Sequence, residues 1–384
     1  MQSAPALTDG VGGGQSVGVL TKTVIRSSVC IWLLHARLRP GGNNDLVQVG
    51  EDFIEVSQVG AEGQLERVAT KTDFDCRIRA AKVFSIDPEH SEEDLLIKRE
   101  DLTFDGKSPQ VPPDLLVLAL DSQDLVFIYL EECDDGAFRF VQQSCPLPSF
   151  DNALHQPGEH LAVDPHTRAL AVAASEQEVM LFSAKSRESI KSEIQSGDRN
   201  WCPVSAQRPV KVEGVIQHAE FLIPPEDDKD HIVLLLIVVD QRKTKAVRVD
   251  WSYSSDVHYA QKHPGIQLDS VTTVPSLLIP LRDAAFLIVR GSEIVKWQYI
   301  LSGSPSAKLI PRLDTDPTGS GESPRKPVWA NWCRPRRSQG ARREMDHIYL
   351  VREDGFVYLA HVGDSNATSS LAGHLECHVS SAFA

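Results

Sequence analysis

Residues Leu115-Leu-Val-Leu-Ala-Leu120, Asp121-Ser-Gln-Asp124 and Leu125-Val-Phe-Ile-Tyr-Leu130 follow one another in the chain and give the clearest indication of its architecture. Two apolar runs of strand length are separated by polar residues that favour turns, which predicts a strand, a turn and a second strand. A third strand is expected at Phe138 to Gln142, after the turn residues Asp134-Asp135-Gly136. This segment is therefore predicted to be a β-meander.

The same pattern recurs along the chain, and no stretch of ten or more residues shows a convincing helical period. The leading strands are apolar without alternation, as expected for strands that neighbours cover on both faces. Turn residues such as Gly291-Ser292 and Glu353-Asp354-Gly355 lie between a leading strand and the strand that follows it. The leading strands start roughly 50 to 70 residues apart, at Leu46, Leu115, Ala169, Ile232, Ala285 and Ile348.

A repeat of this length that is filled with strands is typical of radially arranged blades. The predicted fold is all-β, a seven-bladed β-propeller of four-stranded antiparallel meanders. The six visible units need a seventh blade, which strands around Val17 to Leu20 and Val24 to Leu34 are expected to complete. We predict a flexible N-terminus at 1–14, a single propeller at 15–362 and a loose tail at 363–384. The polar segments 185–214 and 314–326 are predicted to be connecting loops.

Charge and cysteine content limit the functional classes. The chain of 384 residues has 39 basic and 53 acidic residues, a formal charge of −14, which argues against a general nucleic-acid binder. Its seven cysteines are scattered and include no C-x-x-C pair, so neither a disulfide framework nor a zinc site is suggested, and a reducing compartment fits best. The N-terminus lacks the pattern of a secretory signal, and no apolar run has the length of a membrane span.

The region around Asp164 combines histidines with a carboxylate and must be considered as a metal or acid-base cluster. His155, His160 and His166 lie nearby in the sequence, but His160 opens a strand while His166 belongs to the following turn. Asp-Pro is favoured turn chemistry, and we interpret Asp164-Pro165-His166 as a turn between two strands. No catalytic, metal-binding or cofactor-binding residue is predicted, and no cofactor is expected.

One local charge feature stands out in this acidic chain. Five arginines lie within ten residues, in a form that could serve nuclear import or touch nucleic acid. The alternative, which we favour, is a solvated loop between two strands, because aromatic neighbours for base stacking are lacking. The possible basic interaction loop consists of Arg334, Arg336, Arg337, Arg342 and Arg343.

Taken together, several segments resemble the first β-propeller of one protein family. The resemblance depends on the order and spacing of these segments, and it covers about residues 15 to 362. The segments are Asp45 to Val56, Asp114 to Leu120, Leu161 to Pro165 with Arg168, Val215 to Leu222, and His347 to Tyr358. The family comprises the large subunit of damaged-DNA-binding protein, the related subunits of cleavage and polyadenylation specificity factor and of the spliceosomal branch-site complex, and the fungal methyl-methanesulfonate-sensitivity protein.

The resemblance implies a non-enzymatic protein-interaction scaffold in the nucleus, with the cytoplasm as a second location. Its expected partners are subunits of a cullin ubiquitin ligase complex in DNA repair, or of complexes for splicing and for cleavage and polyadenylation. Nucleic-acid contact is expected to be indirect or weak, and neither a membrane nor a small-molecule substrate is expected. Cullin docking is not carried over, because in this family it belongs to a second propeller. The alternatives are a propeller hydrolase with a site at the central channel, or nucleic-acid binding through the 334–343 loop.

Overall fold

The computed structural model describes residues 29–41, 44–60, 63–86, 111–147, 159–173, 176–197, 201–241, 243–269, 274–291, 293–310, 328–334, 345–353, 357–363 and 374–375. Their strands form four four-stranded sheets and one eight-stranded sheet, and all neighbouring strands are antiparallel. The eight-stranded sheet consists of two meanders that share one strand. The described residues thus form six successive units.

Each unit follows the chain order, so neighbours in sequence are neighbours in the sheet. Unit 1 contains β1 (Trp32–Ala36), β2 (Asp45–Val49), β3 (Ile54–Val59) and β4 (Leu65–Lys71). Unit 2 contains β5 (Ile78–Ser85), β6 (Asp114–Leu120), β7 (Asp124–Glu132) and β8 (Phe138–Pro146). Unit 3 contains β9 (His160–Val163), β10 (Ala169–Ala173), β11 (Glu176–Ala184) and the first part of β12 (Val204–Leu222).

The remaining units continue the pattern. Unit 4 contains the last part of β12, β13 (His231–Asp240), β14 (Lys243–Ser252) and the short strands β15 (Gln261–Lys262) and β16 (Ile266–Asp269). Unit 5 contains β17 (Leu277–Pro280), β18 (Phe286–Arg290), β19 (Glu293–Gln298) and β20 (Ser306–Ile310). Unit 6 contains β21 (Trp329–Cys333), β22 (Met345–Arg352), β23 (Val357–Gly363) and β24 (His374–Leu375). Helix α1 (Arg187–Gln195) lies between β11 and β12, and the 3₁₀ helix η1 (Val257–Tyr259) follows β14.

The strand repeat predicted from the sequence is confirmed in these six units. The strands predicted to lead the units are in fact their second strands, because each is preceded by a shorter, less apolar or less buried strand of the same sheet. Five of the six start positions lie within these second strands, and Ala285 directly precedes β18. First strands of successive units contact one another, which places them on the inside of the assembly. There, Lys82 of β5 reaches past unit 3 to Glu220 of β12, with Nζ and Oε1 2.8 Å apart.

Face-to-face packing joins the units in series. Five apolar clusters bridge units 1 and 2, 2 and 3, 3 and 4, 4 and 5, and 5 and 6. The sequence of β6 is continuously apolar because both of its faces are buried. Leu115 and Val117 face unit 3, whereas Leu116 and Leu118 face unit 1. Burial of each such aliphatic side chain contributes about 1.5–3 kcal/mol to the stability of the fold, relative to an exposed side chain.

Buried ion pairs add specific links between neighbouring units. Asp114, the first residue of β6, is fully buried and accepts hydrogen bonds from the backbone N of Arg37 at 2.8 Å and from its Nη2 at 3.0 Å. The same type of contact occurs between units 5 and 6, where the backbone N of Arg282 donates to Asp346 at 3.1 Å. In both cases the residue just beyond an inner strand is bound to a carboxylate near the start of the next unit's second strand.

Two expectations about the strands and loops differ from the structure. The segment 185–214, predicted to be a loop, contains α1 and the first part of β12, because Ser186 caps the helix and Ile190 and Ile194 bury one of its faces. Residues 32–34, assigned to a seventh blade, belong to β1 in unit 1, whereas Val17 to Leu20 lie outside the described residues.

The predicted boundaries of the flexible N-terminus, the propeller and the tail stay predictions. The residues 1–14, and those of the tail apart from Gly363 and β24, lie outside the described part of the chain.

The cysteines also differ from expectation. Cys145 of β8 and Cys202, which lies between α1 and β12, form a disulfide. Among the other described cysteines, Cys30, Cys76, Cys133 and Cys333 are free thiols. One disulfide between distant segments has no local spacing signal, so sequence patterns for a disulfide framework do not reveal it.

Candidate interaction site

A polar pocket of about 380 Å³ lies on unit 4, where β13 begins and β14 ends. The loop 223–230 borders it on one side, and the segment around η1 borders it on the other. Its walls combine carboxylates, hydroxyls, an imidazole and two aromatic rings. The lining residues are Asp228, His231, Asp250, Trp251, Ser252, Ser255, Tyr259 and Gln261.

Asp250 of β14 is the central charge of the pocket. Its Oδ1 lies 2.7 Å from Nε2 of His263. Its Oδ2 lies 2.9 Å from Nε of Arg248, and this contact is an ion pair without the geometry of a hydrogen bond. Burial opposes ionisation, but the hydrogen bonds of His231 and His263 and the charge of Arg248 outweigh it, so the pKa of Asp250 lies below its usual value. Asp250 is therefore ionised near neutral pH.

Hydrogen bonding also assigns the tautomer of His263. Nη2 of Arg248 lies 3.0 Å from Nδ1 of His263, and because a guanidinium can only donate, Nδ1 is the acceptor. The ring proton of neutral His263 therefore resides on Nε2, from which it is donated to Asp250. This arrangement fixes the orientation of both side chains.

His231, the first residue of β13, lies between two carboxylates. Its Nε2 is 3.4 Å from Oδ2 of Asp250, and its Nδ1 is 3.0 Å from Oδ2 of Asp228. The hydrogen bond to Asp250 raises the pKa of His231, burial partly opposes this, and Asp228 raises the pKa further. Because both ring nitrogens face carboxylates, the protonated form of this imidazole is favoured, and neither nitrogen is placed to act as a general base on a ligand.

The loop beside the pocket is fixed by its own contacts. Asp230 accepts a hydrogen bond from the Ser252 hydroxyl and two from Ser254, from its backbone N at 3.1 Å and its hydroxyl at 2.9 Å. Arg168 of unit 3 donates to the main-chain oxygens of Lys229 and His231. These contacts hold an exposed acidic segment, residues 226–230, beside the pocket.

Two aromatic side chains of this region are exposed to solvent, one of them in the pocket wall and the other directly after the lining residue Ser252. Tyr259, which lines the pocket, is 70% exposed, and Tyr253 is 44% exposed. Carboxylates next to an accessible aromatic face can bind a lysine or arginine side chain by charge and by cation–π contact. We call Asp228, Tyr253 and Tyr259 the unit-4 rim.

The residues singled out in the sequence do not converge on this pocket. Asp164 lies in the turn between β9 and β10, where its Oδ2 accepts from the backbone N of His166 at 3.0 Å and from Nε of Arg168 at 2.9 Å, as expected for a structural turn. His160 opens β9 and contacts the main-chain oxygen of Ile216 at 3.1 Å. His155 lies outside the described residues.

The arginine-rich segment is described only at its first member. Nη1 of Arg334 lies 3.2 Å from Oδ1 of Asp346, and Nη2 donates to the main-chain oxygen of Pro280. Arg334 thus links unit 6 to unit 5. The other members, Arg336, Arg337, Arg342 and Arg343, lie outside the described residues.

No pattern in the sequence predicts the pocket. Asp228, His231 and Asp250 come from a loop and two strands, and they share no local motif. The acidic run ending at Asp230 joins β12 to β13. Only strand pairing, which places His231 opposite Ser252, brings the lining residues together.

Comparison with protein families places the chain. The family described as RSE1/DDB1/CPSF1 first beta-propeller matches residues 29–384. The chain belongs to this family. A comparison with curated proteins finds no match.

Membership in the RSE1/DDB1/CPSF1 first-propeller family confirms the resemblance and the fold class, an all-β propeller of antiparallel sheets. The family has seven blades, and its propeller domains are generally non-catalytic scaffolds in DNA-repair and RNA-processing complexes. It forms multiprotein complexes and is largely nuclear.

Two further observations concern the part of the chain that the structure describes. None of its helices is long and apolar enough to cross a membrane. No group of three or more His, Cys, Asp or Glu side chains there is placed to hold a metal ion.

Proposed function

We propose that this protein is a non-enzymatic scaffold module that joins partner proteins within a nuclear complex for DNA repair or pre-mRNA processing. The observation that carries this proposal is the family match over residues 29–384. The candidate partners are subunits of a ubiquitin ligase complex or of splicing and cleavage complexes. The unit-4 rim is the surface that we propose for partner contact.

The packing of the molecule supports a scaffold role. The described apolar clusters lie between successive units, so the sheets form a well-packed frame while the loops reach the surface. The contacts of Asp230 and Arg168 hold the acidic loop in one position. A preorganised surface loses less conformational entropy on binding than a mobile one, which favours protein recognition.

The hydrolase alternative receives no comparable support. On the inner strands, His160 and His218 each contact a main-chain oxygen, of Ile216 and of Pro275, and Lys82 is paired with Glu220. These described side chains stabilise the frame, and we do not propose a catalytic role for them.

Affinity purification from nuclear extract, followed by mass spectrometry, tests the proposed function. We expect the wild-type protein to recover ubiquitin-ligase subunits or RNA-processing subunits. The double variant Asp228→Asn/Tyr259→Ala is expected to recover at least tenfold less, and Tyr299→Ala, which removes another exposed tyrosine on unit 5, is the matched control.

The outcomes test the scaffold function and the assignment of the unit-4 rim separately. Recovery of neither class of protein by the wild type contradicts the scaffold function. Equal recovery by the wild type and the double variant leaves the scaffold function intact and contradicts the assignment of the unit-4 rim.

A second proposal concerns the basic loop. We propose that Arg336, Arg337, Arg342 and Arg343 contribute a weak, salt-dependent contact with nucleic acid. The concentration of arginines in this segment of the sequence supports the proposal, and a solvated loop without contact to nucleic acid is the alternative that the salt dependence of binding distinguishes from it. Arg334 is excluded from this proposal because it is bound to Asp346 and Pro280.

A further inference from the structure

The disulfide between Cys145 and Cys202 joins two units at the outside of the sheets. Cys145 lies in β8, the last strand of unit 2, and Cys202 follows α1 in unit 3. The two residues are separated by 57 positions, so the bridge closes a loop that contains most of unit 3. Both residues are only half-buried, which leaves them within reach of a small solute.

The segment that carries Cys202 is also held by noncovalent contacts. Trp201 packs against Tyr129 of β7 with ring centroids 5.7 Å apart, and Ile190 and Ile194 of α1 are buried in the same cluster between units 2 and 3. The Glu193 carboxylate accepts a hydrogen bond from the backbone N of Cys202 at 3.2 Å. Docking of α1 therefore does not depend on the disulfide alone.

We propose that Cys145 and Cys202 form a redox-controlled clasp that locks α1 and its flanking segment onto unit 2. In a reducing compartment both residues are thiols and the segment is held by the noncovalent contacts alone. Under oxidising conditions the bridge forms and suppresses local opening of the segment. The contacts of Trp201, Ile190 and Ile194 hold the segment against unit 2 independently of the bridge, and this favours re-formation of the bridge after reduction.

The oxidant is a small disulfide of the glutathione type. One cysteine thiolate attacks a sulfur of the oxidised glutathione, forms a mixed disulfide and releases one glutathione thiolate. The thiolate of the second cysteine then attacks the protein sulfur of that mixed disulfide and releases the other glutathione. Two electrons pass from the cysteines to the oxidant, and the two thiol protons leave with the glutathione molecules or to solvent.

Thiol alkylation and peptide mapping of the wild-type protein test this directly. After incubation with oxidised glutathione, we expect Cys145 and Cys202 to resist alkylation and to appear as one cross-linked peptide, whereas Cys76 and Cys133 remain reactive. Dithiothreitol is expected to reverse the change. Alkylation of Cys145 and Cys202 to the same extent as Cys76 and Cys133 overturns the proposal.

A stability measurement tests the clasp itself. Oxidation should slow cleavage between residues 185 and 203 by a protease several-fold and raise the midpoint of thermal unfolding by about 4 °C. Cys145→Ser and Cys202→Ser should each abolish both effects, and Cys76→Ser should keep them. Protection that persists in either bridge variant shows that the clasp is not the cause, and the alkylation test on the wild type remains decisive if a variant fails to fold.

Discussion

Asp114 binds groups from two different units at the first position of β6. Its carboxylate accepts hydrogen bonds from the backbone N, Nε and Nη2 of Arg37 and from the hydroxyl of Ser85 at 2.7 Å. Both members of the Arg37–Asp114 pair are almost completely buried. Such a pair is costly to break, because removal of one partner leaves an uncompensated charge in a medium of low polarity.

Replacing Asp114 with alanine should therefore lower the free energy of unfolding by about 3–5 kcal/mol. Denaturation in urea, followed by tryptophan fluorescence, measures the change. The control is Asp73→Ala, which breaks an ion pair with Lys71 at a carboxylate whose side chain is 77% exposed, and which should change the stability far less because solvent screens that pair. Equal losses in the two variants would show that burial of the Arg37–Asp114 pair has no special role.

Two histidines should give opposite dependences of stability on pH. Burial, and next the neighbouring His218, lower the pKa of His160, whereas Asp250 and Asp228 raise the pKa of His231. For His160, the stabilisation is complete above the unfolded pKa of about 6.5 and is lost as the pH falls through the folded pKa. For His231, it is complete below about 6.5 and is lost as the pH rises through the folded pKa.

Thermal unfolding between pH 5 and pH 8 measures this with His160→Gln and His231→Gln. Relative to the wild type, the His160 variant should lose less stability on acidification, and the His231 variant should lose less as the pH rises above neutrality. Each variant serves as the control for the other. Parallel changes in the two variants would contradict the opposite pKa directions.

At the level of elements, β12 is unusual because it belongs to two units. It pairs with β11 through Val204 to Val215 and with β13 through Val215 to Leu222. Gly214 lies at the junction with a φ of +110°, and a Cβ there would lie 2.5 Å from the main-chain oxygen of Val239. Glycine is needed at this position for both its backbone conformation and the close approach of β13.

Substitution of Gly214 by alanine should destabilise the protein by about 3 kcal/mol, from backbone strain together with the steric conflict. Gly136 is the matched control, since its φ is +78° but no atom lies within 4 Å of its added Cβ. Gly136→Ala should cost only about 1 kcal/mol. Urea denaturation of both variants measures the loss of unfolding free energy. Equal losses would mean that the close approach of Val239 does not contribute to the destabilisation.

Elements differ in how well their sequences predict them. The apolar second strands, such as β6 and β13, are recognisable because burial on both faces requires apolar residues at every position. Helix α1 has only two buried isoleucines and a serine cap, so its periodic signal is too short to recognise. Strand β12 alternates between exposed and buried positions, and its length follows from pairing with two different units.

At the level of the whole molecule, the negative charge sets the conditions for any contact with nucleic acid. With a formal charge of −14, the protein repels a phosphate backbone at long range, so the basic loop can act only at short range. Contact through few arginines also limits the affinity, because each neutralised phosphate contributes through counterion release.

Titration with single-stranded RNA at several salt concentrations tests the basic loop. Replacing Arg336, Arg337, Arg342 and Arg343 with alanine should reduce the slope of log affinity against log salt by about 3. The control replaces Arg67 and Arg139, two exposed arginines outside the loop, and should change the slope by less than half as much. An unchanged slope in the loop variant would contradict the proposed contact.

The sequence by itself determined the all-β repeat, the positions of the second strands and the turns between them, because these depend on local hydrophobicity and local turn chemistry. The tertiary structure alone decided which carboxylates bind which arginines, how the unit-4 pocket is assembled and that Cys145 lies beside Cys202. The physical reason is that these contacts join different strands and loops, often of different units. Arg37 and Asp114, for example, are 77 positions apart, and a local sequence pattern cannot predict a contact over such a separation.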